Sequence, residues 1–130
     1  MSIGLLIITH NRIGEALLDT AVTMIGGYPL QIKTIAVALN SNPEQITEQA
    51  RELARELDQG EGVLVLTDMF GSTPSNIATS LLDQPHIMLV TGINLPMLVR
   101  VLNYSHLGLA ELAQKATSGG HDGIIWSSSR

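Results

Sequence analysis

Cysteine is absent from this 130-residue chain. That excludes disulfides, thiolate metal centres and thiol catalysis, and it fits a reducing cytoplasm. Aromatic residues are almost missing too, at 3% against 45% hydrophobic residues overall. The core must therefore be built from Leu, Ile, Val, Ala and Met. Charged residues amount to 15%, below the roughly 25% usual for soluble domains. Such a surface is expected to be partly covered by a partner or a second subunit. Basic residues are few: seven Lys and Arg are scattered through a chain of net charge −5. No clustered basic face exists for a nucleic acid. Long apolar runs are also lacking. No stretch approaches the ~18 uninterrupted apolar residues that a membrane helix needs. Ile3–Ile8 is too short for a signal-peptide core and has no basic flank.

What is present suits one domain, residues 1–130. A chain of this length buries roughly 65–70% of its unfolded surface. Ile3–Ile8 reads as a strand buried on both faces, as parallel strands covered by helices do. Leu17, Leu18, Ala21, Val22 and Ile25 follow at helical spacing, and Gly26-Gly27 with Pro29 ends that helix. Ile32–Leu39 is a second strand. Asn42-Pro43-Glu44-Gln45 is a helix start with a cap, a first-turn proline and a capping-box glutamine. The buried stripe of that helix is Ile46, Ala50, Leu53, Ala54 and Leu57. Val63–Leu66 is the third strand, and Thr73-Pro74 reads as the cap and first residue of the next helix. Ile87–Val90 is the fourth strand, followed by a helix carrying Met97, Leu98, Val101 and Leu102. A last helix over Leu109–Ala116 is expected to stop at Gly119-Gly120. Gly123–Ser127 reads as a short fifth strand with Trp126 packed on it. This alternation predicts a doubly wound α/β fold, a mostly parallel sheet with helices on both faces.

The strand-to-helix loops hold His10, Asn40, Asp68 and Asn94, so polar residues gather on the carboxyl edge of the sheet. His10 follows the first strand and Asp68 the third. Those strands are neighbours at the topological switch point of common doubly wound orders. A histidine acting as a nucleophile must keep one ring nitrogen free of its proton. A carboxylate bonded to the other nitrogen fixes that tautomer. The pair suits attack on a phosphoryl group. Gly71–Asn76 adds the donors that such a group requires. These are backbone N–H groups before a helix, the Ser72 and Thr73 hydroxyls, and close backbone approach at Gly71.

Other chemistries lack their signatures. No two histidines stand at i, i+4, the glycine pattern of dinucleotide sites is missing, and no Gly-x-Ser-x-Gly elbow occurs. His86, His106 and His121 read as exposed or structural. A receiver-type reading, with Asp68 itself as acceptor, stays open on the residues alone.

Three segments together resemble the enzyme IIA domain of the mannose family of the sugar phosphotransferase system. They are Ile7-Ile8-Thr9-His10, Leu66 to Asn76 (Leu-Thr-Asp-Met-Phe-Gly-Ser-Thr-Pro-Ser-Asn), and Thr91-Gly92-Ile93-Asn94-Leu95-Pro96-Met97-Leu98. The resemblance implies a cytoplasmic phosphocarrier whose His10 takes a phosphoryl group from phospho-HPr and passes it to an enzyme IIB. Asp68 would pair with His10, and Gly71, Ser72 and Thr73 would hold the phosphoryl oxygens. Neither metal nor organic cofactor is implied, and a membrane is met only through permease components. The resemblance further implies a homodimer whose last strand runs antiparallel and is exchanged between subunits, a part for Gly123–Ser127. Two positions depart from the common pattern: Asn11 and Ser72 stand where many members have glycine. An alternative role is a regulatory module, in which phosphorylated His10 gates binding to a kinase or transcription regulator.

Overall fold

The computed structural model describes residues 2–129. Its elements alternate: β1 (Gly4–His10), α1 (Ile13–Ile25), β2 (Gln31–Val37), α2 (Pro43–Leu57), β3 (Val63–Thr67), α3 (Thr73–Ser80) with a short 3-10 turn at Leu81–Asp83, β4 (Ile87–Thr91), α4 (Leu95–Asn103) and α5 (Leu109–Asp122). The four strands form one parallel sheet in the order β2-β1-β3-β4. The chain leaves β1 toward one edge and β3 toward the other, so the switch point lies between β1 and β3.

Side chains alternate across β1, and each face has its own helical cover. Leu5, Ile7, Leu64 and Leu66 pack with Leu18, Ala21, Leu98, Leu102, Leu112 and Ala116 from α1, α4 and α5. Leu6, Ile8, Val63 and Val65 pack with Ala50, Ala54, Leu57, Ile77, Ala78 and Leu81 from α2, α3 and the 3-10 turn. Both central strands are buried along their apolar length, as the run of aliphatic residues predicts. Asn42 caps α2 by accepting from the Glu44 and Gln45 N–H groups at 2.9 and 3.4 Å.

Four boundaries differ from expectation. β1 continues through His10, so the histidine is the last strand residue rather than the first loop residue. β2 stops at Val37, and Leu39 is fully exposed. The N-cap of α3 is Ser72, with Thr73 already helical. The largest difference is at the C-terminus. α5 runs through Gly119-Gly120 instead of stopping there. Their missing side chains let α5 press onto α4: a Cβ on Gly119 would lie 2.7 Å from the Arg100 Cβ. Two glycines that read as a helix stop are thus a close-packing contact inside a helix.

The expected fifth strand over Gly123–Ser127, with its antiparallel pairing, does not form in the single chain. Residues 124–129 belong to no helix or strand. A strand needs a hydrogen-bonding neighbour, and among the described residues the tail has none. Trp126 therefore does not pack within the single chain: Ile124, Ile125 and Trp126 are 76%, 78% and 92% exposed. Among the described residues, no helix is long and apolar enough to cross a membrane.

Candidate functional site

The sheet register brings His10 and Asp68 together. Ile8 pairs with Thr67, so the last two residues of β1 run beside the first residue after β3. Asp68 Oδ2 receives two hydrogen bonds from the same histidine. One comes from the backbone N–H of His10 at 3.1 Å; the other joins its ring Nδ1 at 2.8 Å. This double hold fixes both the position and the ring orientation of His10. With the proton on Nδ1 facing the carboxylate, Nε2 keeps its lone pair. The His10 side chain is 39% exposed and that of Asp68 only 12%. The ring is reachable, and its partner is sheltered. The second carboxylate oxygen, Oδ1, is buried and accepts no hydrogen bond from the protein.

The backbone around the pair is tied down locally. The buried Thr9 hydroxyl accepts from Gly14 N–H at 2.9 Å, supporting the start of α1, where Arg12 supplies no side-chain cap. Asn11 lies in the left-handed region at φ 48, and its N–H donates to the Val37 carbonyl at 2.9 Å. The N–H groups of Gly92 and Ile93 both donate to the Thr67 carbonyl at 2.9 Å, drawing the loop after β4 over the end of β3.

Beside His10 opens a recess of about 300 Å³, lined by Asn11, Ser41 and Thr73 on its polar side and by Val37, Leu39 and Pro43 on its apolar side. Pro43 and Thr73 are the first residues of α2 and α3. Two helix N-termini therefore border the recess and favour an anion there.

The remaining polar residues separate by role. Gly71 holds φ 83, a turn conformation that favours glycine. Ser72 turns its hydroxyl away to donate to the Met69 carbonyl at 2.6 Å. Of Gly71, Ser72 and Thr73, only Thr73 lines the recess. Asn94 is occupied elsewhere: its Oδ1 caps α4 at the Met97 N–H (2.9 Å) and its Nδ2 donates to the Gly120 carbonyl (3.1 Å). Asn40 is an exposed turn residue, and His86, His106 and His121 are exposed. Asn11 and Ser41 join the recess unannounced by any motif. Asn11 stood out only as a departure from glycine, and Ser41 gave no signal. Among the described residues, no three His, Asp or Glu side chains gather as a metal site would require.

A flavodoxin-like parallel order with a carboxylate-held histidine at its switch point defines a doubly wound domain with a polar site on the carboxyl edge. Comparison with known proteins places it further. Residues 4–117 match the sequence model of the EIIA-man family, described as PTS system fructose IIA component, and the chain belongs to that family. Family membership carries a phosphotransfer role in the sugar phosphotransferase system. The chain is 32% identical over 127 residues to the PTS system mannose-specific EIIAB component of Escherichia coli K12, covering 95% of this chain. It spans only 39% of the length of that curated relative. It is also 29% identical over 121 residues to the transcriptional regulatory protein LevR of Bacillus subtilis, covering 88% of this chain and 12% of LevR. A mannose/sorbose specific IIA subunit from Enterococcus faecalis shares the fold, with a TM-score of 0.85 at 23% identity, over 100% of this chain and 98% of that one.

Proposed function

We propose that this chain is a single IIA domain that carries a phosphoryl group on Nε2 of His10, taking it from phospho-HPr and passing it to an enzyme IIB. The observation that carries the reading is the 2.8 Å contact between Nδ1 and Asp68. The Nε2 lone pair forms the new N–P bond. The P–N bond to the donor's histidine breaks, and its electron pair returns to the donor ring. The positive charge that the donor ring gives up appears on the His10 ring, opposite the Asp68 carboxylate. No proton has to move. Attack by the nucleophile of the next carrier reverses these events and restores neutral His10.

One further feature supports a protein as the donor. The recess is flanked by exposed apolar side chains: Leu39 on its rim, with Met69 and Phe70 in the loop directly after Asp68. Exposed apolar residues beside a reactive group suit docking of a folded carrier. The larger concavity, about 750 Å³, lies elsewhere, along β4 and α5, where Leu82, Met88, Leu89 and Ala113 line it. β4 is the last strand of the sheet on that side. A homodimer in which the Ile124–Trp126 tail pairs with the partner's β4 would cover both apolar surfaces. Trp126→Asp is then expected to convert a sedimenting dimer to a monomer; a wild-type chain that sediments as a monomer refutes the dimer.

The relationship to LevR favours one second reading, a regulatory module whose binding depends on phosphorylated His10. The deciding experiment incubates the phosphorylated chain with an enzyme IIB and follows the label. Transfer to IIB at a rate comparable to loading supports the carrier. Stable retention of the label, with phosphorylation-dependent binding to a regulator, supports the second reading instead.

A further inference from the structure

We infer that Asn11 is a phosphoryl-contact residue, its carboxamide Nδ2 donating to an oxygen of the phosphoryl group on His10. The inference rests on the reading of His10 as the carrier. Asn11 holds φ 48, and His86 is the only other non-glycine residue with positive φ among the described residues. Asparagine tolerates this region better than most residues, yet glycine adopts it without steric cost. The turn itself uses only the backbone of Asn11, through the N–H bond to Val37. Among the described residues no hydrogen bond engages its carboxamide, so the side chain serves neither a cap nor a turn there. It is exposed and lines the recess next to the reactive ring.

The recess also needs donors. A phosphoryl group in transfer spreads negative charge over three oxygens and is stabilised by oriented hydrogen bonds. Ser72 is turned toward Met69 and does not line the recess. Ser41 and Thr73 supply one hydroxyl each, and the carboxamide of Asn11 adds two N–H donors. A conformation that glycine would hold more easily thus keeps a donor in the recess that His10 also lines, as strained positions at functional sites do.

The test compares the wild-type chain with Asn11→Gly and Asn11→Asp in single-turnover labelling. Two donors are used: phospho-HPr, and the small molecule phosphoramidate, which makes no protein interface. Asn11→Gly is expected to unfold at no lower urea concentration than the wild type. It should nevertheless load about 10- to 100-fold more slowly from both donors, the usual weight of a hydrogen bond to a charged group. Asn11→Asp should be slower still, because a carboxylate would face the phosphoryl dianion. Loading of Asn11→Gly within twofold of the wild type, from a wild type that does label on His10, overturns the inference alone. Slowing confined to phospho-HPr makes Asn11 a docking contact and also overturns it. A wild type that takes no label on His10 overturns the carrier reading and this inference with it.

Discussion

Replacing Asp68 with Asn removes a charge while keeping the shape, and its consequences follow from the geometry. The amide oxygen can still accept from the His10 backbone and ring, so the turn between β1 and α1 should hold. What disappears is the carboxylate opposite Nδ1, 2.8 Å away. Transfer places a positive charge on the ring, and two opposite charges about 4 Å apart attract by about 4 kcal/mol at an effective dielectric of about 20. The ring is 39% exposed, and solvent screening takes roughly half of that, leaving about 2 kcal/mol. Asp68→Asn should therefore slow loading by about 30-fold. Stability should respond differently. The carboxylate is sheltered, and its Oδ1 accepts no hydrogen bond from the protein, so a neutral amide relieves a desolvated charge. The variant should melt no lower than the wild type while transferring more slowly. Rapid-quench labelling with phospho-HPr, paired with thermal unfolding, reads both. An unchanged loading rate would refute the reasoning, as would a drop of more than about 5 °C in melting temperature, which marks a structural role worth about 1 kcal/mol.

Gly119→Ala should destabilise the chain by about 1 kcal/mol, because overpacking against Arg100 outweighs the ~1 kcal/mol that alanine gains in an ordinary helix; a urea midpoint above the wild type would contradict the close contact of α5 and α4. The Arg51 guanidinium donates to Asp83 at 3.0 and 3.2 Å, and this hydrogen bond holds the Asp83 carboxyl below its ordinary range. A carboxyl lowered on folding stabilises above its unfolded pKa, and that gain is lost as pH falls through the lower folded value. Asp83→Asn should therefore be less stable than the wild type at neutral pH, with the gap closing in acid below the unfolded carboxylate range near ~4. A gap in urea midpoints that stays constant from pH 7 to pH 2 would assign the difference to something other than this pair.

Much of the fold is legible in the chain because its signals are local and agree with one another. The aliphatic runs of β1 and β3, the Asn42-Pro43 start of α2 and the stripe from Ile46 to Leu57 each satisfy a single physical demand. The meeting of His10 with Asp68 is legible for a different reason: strand order and parallel direction place the ends of β1 and β3 side by side. The failures arise where a residue answers a contact distant in sequence. Gly119-Gly120 reads as a helix stop, yet the facing Arg100 and Met97 on α4 decide its role. Residues 123–127 have the composition of a strand, but a strand is a relation between two segments, and one chain offers this tail no partner. Ser72 carries a hydroxyl at an expected donor position, and a nearby carbonyl at Met69 claims it. Asn11 and Ser41 reach the recess through the register of β1 with β2, which no motif records.

On the proposed function, His10 is the phosphoryl acceptor. The direct measurement is mass spectrometry of the chain after incubation with phospho-HPr, with the site mapped by fragmentation and the label challenged by acid and by alkali. A single phosphoryl group is expected on the peptide containing His10, lost in acid and kept in alkali, and absent from His10→Ala. A label on Asp68 that is lost in alkali, or undiminished labelling of His10→Ala, would contradict it.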